Sequence, residues 1–577
     1  MKRLFEEHKI RRVVNLGGAW RFLADPKDRG IEEGWMHALP VGDTVSVPTL
    51  WNNEIGLLQY EGAAWYEKRF YTNGGTIRFV FESVMTAADI WFDGEHLGSH
   101  YGGFSAFDFI VRNVSVGDHT LTVRADSRFD AHSIPQKRVD WYNFGGIARD
   151  VWAETLEDIC ILKHRFMYTL ADGMEQATVH SQLELYNAAD QARTSTLTVS
   201  VGDTVIYMGD VQLEAGERKT LITDCVDLKA ISLWSCESPV LYPLVVRTDT
   251  DDLIDRIGFR KIEIKDGKIL LNGKRTELRG VNRHEEYPGF GFAFPKSLMK
   301  RDIDIMFDLG CNTVRGSHYP NSKYFVDLLD ERGMLFWSEI PIWGVGFSEE
   351  AIGDPIVVKR GLTMHREMVE QYYNHPCIII WGMHNEIPSD TQNAYEMTKC
   401  YHDFLRANGG NRLITHASNH PMTDICFEFS DIISLNMYYG WYDQQKSGLA
   451  PDWEGFLENF RARREELGMS DKPVIMSEFG AGALYGYRNA FDSVFWTEEY
   501  QRDILSHCLT LFHNDPMIEG VYIWQFCNIR TSAGIAWRDR ARCFNNKGIL
   551  DEYRNPKLAY FEIKKLYDRF EKENEHE

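Results

Sequence analysis

The sequence predicts a multidomain α and β protein: an N-terminal jelly-roll β-sandwich, then an immunoglobulin-like β-sandwich, then a C-terminal TIM (β/α) barrel. Three observations predict it. Residues 1–157 and 158–262 alternate apolar and polar side chains in period two, the mark of half-buried strands. From 263 to 577 the texture changes to short apolar strands separated by helical patterns, repeated eight times. At 577 residues the chain is long enough for roughly three or four domains.

In the first region, Thr76-Ile77-Arg78-Phe79-Val80-Phe81-Glu82 and Ala88-Asp89-Ile90-Trp91-Phe92 alternate, with turn signals at Asp93-Gly94 and Gly117-Asp118. In the second, Val179–Leu185 and Thr194–Val201 do the same, with turns at Gly202-Asp203 and Ala215-Gly216. About a hundred residues of that pattern fit an immunoglobulin-like sandwich without its disulfide. Beyond Gly258-Phe259-Arg260 the strand candidates are Glu277–Val281, Cys311–His318, Met334–Glu339, Cys377–Glu386, Leu413–Ala417, Ile432–Tyr439, Pro473–Phe479 and Ile518–Cys527. Helical patterns at Ser297–Leu309, Tyr324–Glu331, Arg360–Tyr373 and Glu499–Phe512 lie between them. A barrel of this kind builds its site at the C-terminal ends of its strands.

Composition narrows the partners. With 63 Lys+Arg against 85 Asp+Glu, the formal charge is -22, which argues against nucleic acid and anionic membrane. Hydrophobic content of 44% and 16 tryptophans supply large cores, and 13% aromatics suit stacking on sugar rings as well as packing. The 10 cysteines show no metal-ligand spacing and read as scattered reduced thiols. The N-terminus lacks an apolar secretory segment and no apolar run approaches a membrane span, so a cytoplasmic enzyme is expected.

Two strands end on chemistry. Cys377-Ile-Ile-Ile-Trp-Gly-Met-His-Asn385-Glu386 is an apolar run that stops on an amide and a carboxylate. Pro473-Val-Ile-Met runs likewise into Ser477-Glu478-Phe479-Gly480. Strand packing does not ask for these groups. Either glutamate alone could cap a nearby helix. On this strand count, however, Glu386 ends strand four and Glu478 strand seven, both on the barrel's catalytic rim. Paired carboxylates there are the machinery of glycoside hydrolysis.

Asn312-Thr-Val-Arg315-Gly-Ser-His318-Tyr-Pro320 with Asp330-Glu-Arg-Gly333-Met-Leu-Phe-Trp337, and Asn374-His-Pro-Cys-Ile-Ile-Ile-Trp-Gly-Met-His-Asn385-Glu386, resemble the two signatures of glycoside hydrolase family 2. The order of domains is similar to that family over essentially the whole chain. Within it, Asn545-Asn546-Lys547-Gly548 resembles the Asn-x-Lys element with which β-glucuronidases hold the sugar's C6 carboxylate; by itself it could equally be a polar turn.

The resemblance implies a retaining β-glucuronidase with Glu386 as general acid/base and Glu478 as nucleophile. It implies substrate contacts from Asn545, Lys547, Asn385, His318, Asn436, Tyr438, Tyr442, Trp524 and Asp140. An arginine before the Asn-x-Lys element is implied too, with Arg542 and Arg540 both candidates because the spacing in Trp537-Arg-Asp-Arg540-Ala-Arg542 departs from the family's. The segment between Ile340 and Met364 is shorter than the loop that covers the site in some bacterial relatives, which implies an open mouth and bulkier aglycones or sugar chains. The implied partner is a small-molecule or oligosaccharide β-glucuronide, and the implied assembly a homo-oligomer, commonly a tetramer. No cofactor is needed for catalysis; no Mg²⁺ ligand set like that of the galactosidase branch is evident, and the non-catalytic flavin site of some gut bacterial relatives has no sequence warrant. β-Galacturonidase, β-galactosidase and a non-catalytic carbohydrate-binding protein are the alternatives.

Overall fold

The computed structural model describes residues 3–344, 347–442, 453–532 and 540–574. Eight parallel strands close into a barrel: β1 (Leu278–Asn282), β2 (Thr313–Gly316), β3 (Leu335–Glu339), β4 (Ile378–Asn385), β5 (Leu413–Ser418), β6 (Ile433–Asn436), β7 (Val474–Glu478) and β8 (Ile518–Ile523). β8 pairs with β1, with Leu278 opposite Gly520, and completes the ring. Every residue of β4 is buried, from Ile378 to Asn385, which explains why this strand reads as a continuous apolar run rather than an alternation.

The helices are α1 (Lys296–Leu309), α2 (Lys323–Arg332), α3 (Glu349–Gly353), α4 (Pro355–Tyr372), α5 (Gln392–Asn408), α6 (Trp453–Glu466), α7 (Glu498–His513) and α8 (Leu558–Asn574). Local chemistry sets their ends. α2 stops at Gly333, which takes the left-handed conformation (φ 75°) and donates its N–H to Leu329 O. The Thr497 side chain caps α7 by accepting from Tyr500 N. The predicted helices begin later than the observed ones, by five residues at α4, because Asp354 caps and Pro355 opens a turn with no apolar periodicity of its own.

The N-terminal unit is a sandwich of a six-stranded and a four-stranded antiparallel sheet, closed around Trp20, Phe79, Ile90 and Val123. The second unit packs two further antiparallel sheets, with strands from Ile159–Leu170 to Asp252–Ile257, over Ile161, Leu183, Val199 and Val246. The barrel core is not confined to the barrel. Ile134, Val139, Trp141 and Phe144, from a long connection of the first unit, belong to the same buried cluster as Phe292 and Tyr319. A buried ion pair and a backbone hydrogen bond add to this joint: Arg149 donates to Glu285 (2.8 Å) and to Pro320 O (2.9 Å). The first sandwich is therefore fixed against the C-terminal rim of the barrel. No helix among the described residues is long and apolar enough to cross a membrane.

Candidate active site

A cavity of about 490 Å³ opens at the C-terminal end of the barrel. Asp140, Trp343, Glu386, Asn419, Asn436, Met437, Tyr438, Tyr439, Tyr442, Glu478, Trp524 and Arg540 line it. Asn385 and Asn436 are the last residues of β4 and β6, Glu478 is the last of β7, and Trp524 directly follows β8. Glu386 directly follows β4 in the left-handed region (φ 51°), a costly conformation for a glutamate that turns it off the strand axis at the rim.

Beneath the cavity lies a hub that the sequence reading did not assign. Arg315, on β2 and fully buried, donates to Glu339 Oε1 (2.9 Å) and Oε2 (3.0 Å), to Glu478 Oε1 (3.0 Å) and to Asn385 Oδ1 (2.7 Å). Glu339 also accepts from His318 Nδ1 at 2.7 Å. Burial alone would raise Glu339, but Arg315 and His318 outweigh it and hold the carboxyl below its ordinary range. Burial pushes His318 down to about 4, so its ring is neutral, with Nδ1 donating and Nε2 left as an acceptor. That Nε2 lies 3.8 Å from Glu478 Oε1 and has no hydrogen-bond partner; neither has the buried Asn385 Nδ2. An unmatched acceptor and an unmatched donor side by side suit a ligand rich in hydroxyl groups. The signal for the hub was present: Arg315 and Glu339 are charged residues at the ends of apolar strands, the pattern that singled out Glu386.

The two glutamates differ in what they accept. Glu478 receives Arg315 at 3.0 Å and the Tyr438 hydroxyl at 2.7 Å, both donors that favour the anion. Glu386 receives only the neutral amide of Asn436, at 2.9 Å. Burial and then the charge of Glu386 push Glu478 up to about 8, and burial raises Glu386 too. Two buried carboxyls in one cavity titrate as a pair that keeps one proton at neutral pH. The bonding decides where it resides: on Glu386, since a cation and a phenol hold Glu478 ionised. Trp524 floors the pocket, stacked on His318 with centroids 5.1 Å apart and planes at 19°.

One side of the cavity is backed by buried donors. Lys547, 1% exposed, donates from Nζ to the Tyr442 hydroxyl (2.7 Å) and lies 4.6, 5.3 and 5.5 Å from the ring centres of Tyr442, Tyr438 and Trp441. Asn545 donates from Nδ2 to Asp140 Oδ2 at 2.8 Å. Arg540 pairs with the same carboxylate through Nε (2.7 Å) and Nη2, and reaches Tyr442 at 3.3 Å. Asp140, from the N-terminal sandwich, thus meets the C-terminal loop directly.

Arg542 is a correction. Its guanidinium bonds Glu552 at 3.1 Å, its side chain is 54% exposed, and it lines no part of the cavity. Arg542 itself has a left-handed backbone (φ 62°), and of the two arginines it is Arg540 that reaches Asp140. The irregular Arg-x-Arg spacing hid this; residues 537–539 of that run lie outside the described residues. Of the segment read as a short loop, Trp343 enters the cavity wall and α3 begins at Glu349, while Val345 and Gly346 lie outside the described residues. Two clusters of potential metal ligands occur among the described residues, His8–Asp251–Asp252 and Asp327–Asp330–His375, neither in the cavity. Asp251 is already paired with Arg11 and Asp327 with Arg3.

Known protein families match all three units. The sugar binding domain of glycosyl hydrolases family 2 matches residues 13–156, a second family 2 model matches 161–260, and the family's TIM barrel domain matches 262–572. A solved β-galacturonidase from Eisenbergiella tayi, bound to galacturonate, is similar at 34% identity with TM-score 0.91, covering 99% of each chain. The β-glucuronidase of Paenibacillus borealis is 26% identical over 95% of this chain and 96% of its own. The β-galactosidase of Thermoanaerobacterium thermosulfurigenes is 28% identical over 96% of this chain and 76% of its own. The chain belongs to glycoside hydrolase family 2 and is an O-glycosyl hydrolase of that family, with its three-domain architecture.

Proposed function

We propose that the enzyme is a retaining β-hexuronidase, releasing glucuronate from β-D-glucuronides. One observation carries this reading: Arg540 lines the cavity that holds Glu386 and Glu478, and Lys547 and Asn545 stand directly behind its wall, donating to the lining residues Tyr442 and Asp140. A neutral sugar has no use for a buried ammonium, whereas a C6 carboxylate does.

In the first step Glu478 attacks C1 while Glu386 gives its proton to the departing glycosidic oxygen, and the bond from C1 to the aglycone breaks. Arg315 and Tyr438 keep the nucleophile ionised and aimed. Esterification of Glu478 removes its charge, so Glu386 becomes more acidic and serves as base toward water in the second step. Asn385 Nδ2 and His318 Nε2 supply the donor and acceptor for ring hydroxyls. Hydrolases of this family generally need no cofactor, and none enters these steps.

Galacturonide is the second reading, supported by the 34% identity to the β-galacturonidase. The two sugars differ only at C4, the ring position nearest the carboxylate apart from C5. If Asn545 binds that carboxylate, Asp140 and Arg540, one hydrogen bond away, read C4. The β-galactosidase relative favours a neutral galactoside, against which Lys547 weighs. The test is turnover of the p-nitrophenyl β-glucuronide, β-galacturonide and β-galactoside, with Glu478→Gln as blank. Uronide turnover without galactoside turnover supports the proposal; the reverse refutes it.

A further inference from the structure

The loop that carries Asn545 and Lys547 is stitched in place from below by a second lysine. Lys557, just before α8, is 0% exposed. Its ammonium donates to three neutral acceptors: Ala483 O at 2.7 Å, Asn528 Oδ1 at 2.9 Å and Asn546 O at 3.0 Å. Each belongs to a different segment of the rim. Ala483 follows the nucleophile strand β7, Asn528 follows Trp524 at the end of β8, and Asn546 is the residue between Asn545 and Lys547.

A buried ammonium with no carboxylate in hydrogen-bond range among the described residues is an expensive way to hold a loop. Glu498, Glu552 and Asp551 act on Lys557 only through space, and burial pushes the amine down to about 7. Packing alone would be served by methionine or leucine. A three-pronged donor at the meeting point of three carbonyl-type oxygens does something an apolar side chain cannot, because it sets their mutual distances.

The neighbouring bonds act in the same sense. Asn546 O accepts also from Ala483 N (3.0 Å), and Lys547 O accepts from Gln525 N (3.1 Å) and from buried Gln501 Nε2 (3.2 Å). The backbone between Asn545 and Lys547 is therefore fixed at the carbonyls of Asn546 and Lys547, while the side chains of Asn545 and Lys547 reach Asp140 and Tyr442 in the cavity wall.

We infer that Lys557 is a positioning residue for recognition of the substrate's carboxylate: it acts through the backbone of Asn546 to place Asn545 and Lys547, and touches no substrate itself. The inference rests on the hexuronidase reading above. It predicts a loss concentrated at the uronate end of the substrate, since Lys557 holds the Asn546 backbone directly, whereas Glu478 is held on β7 by Arg315 and Tyr438 and Glu386 and Arg315 stand on other strands.

The experiment compares wild type with Lys557→Met, confirming the fold by circular dichroism and thermal melting. The inhibition constant of free hexuronate and the KM for the p-nitrophenyl uronide should each rise about tenfold or more, because a displacement of about 1 Å is enough to lose that much. The kcat at saturation should stay within about threefold, as no transition-state contact at C1 is removed. Inhibition by the matching neutral hexose should not change. A folded variant in which hexuronate and neutral hexose inhibition shift together, or neither shifts, overturns the role. Should Lys557→Met not fold, Asn528→Leu removes one acceptor and should weaken hexuronate inhibition by about threefold; an unchanged constant then counts against the role. If wild type itself prefers the neutral hexose, the functional reading fails rather than this one.

Discussion

Replacing Lys547 by alanine tests the substrate class directly. The ammonium is 1% exposed and sits among the rings of Tyr438, Trp441 and Tyr442, so solvent does little to screen it. A carboxylate bound there without its cation is left desolvated, which costs about 3–5 kcal/mol. At about 1.4 kcal/mol per decade, kcat/KM for the uronide falls by about two to three and a half orders of magnitude. A matched glycoside with CH₂OH at C6 loses at most one ordinary hydrogen bond, about 0.5–1.5 kcal/mol, or about tenfold at the upper limit. The assay is kcat/KM for both substrates on both proteins, repeated at high salt. The gap between the substrates should persist there, because a pair inside a pocket is poorly screened. Equal losses on the two would refute the reasoning and leave Lys547 as a support for Tyr442 alone.

Other outcomes follow from the same geometry. Glu478→Gln should abolish turnover of every substrate with the fold intact; retained activity would move the nucleophile elsewhere. Glu386→Ala should keep part of the first step for aglycones that leave easily, and azide should restore its second step. With wild type, kcat/KM should fall as pH rises through the raised pKa of the pair, because the single shared proton is then lost; a basic limb unchanged in Glu386→Gln would assign it to another group. The same titration bears on stability. Burial and mutual repulsion raise the Glu386–Glu478 pair, so the stability carried by its shared proton is fully present below the ordinary glutamate range and lost as pH climbs through the raised value. The melting temperature of Glu478→Gln relative to wild type should therefore rise between acid and alkaline pH. Asp140→Asn should change the ratio of glucuronide to galacturonide turnover more than it changes their sum, as a ratio assay on the two p-nitrophenyl uronides would show.

The barrel was legible because its strands are buried on all sides and so stand out as apolar runs, and all eight lie where those runs are. Glu386 and Glu478 were legible for the same reason, as acids that interrupt the runs. What could not be read was connectivity across the chain. Arg315 gives its hydrogen bonds to Glu339, Asn385 and Glu478, partners that only barrel closure brings together. The choice between Arg540 and Arg542 depended on the backbone turn at 542, where a non-glycine residue adopts a positive φ that no propensity anticipates. Nothing in the sequence marks Lys557, since burial of its amine depends on three loops at once.

Asp140 and Trp141 enter the barrel from a different folding unit than the two glutamates. The division sets Asp140, the residue proposed to read C4, on a different unit from the strands that carry the glutamates. On the proposed reading, changes in the connection that carries Asp140 would retune which epimer is accepted and leave the strands that break the bond untouched. The reverse also holds. A chain starting at residue 263 would retain both glutamates but lose Asp140 from the cavity lining and the apolar cover that Ile134, Val139, Trp141 and Phe144 give the barrel core.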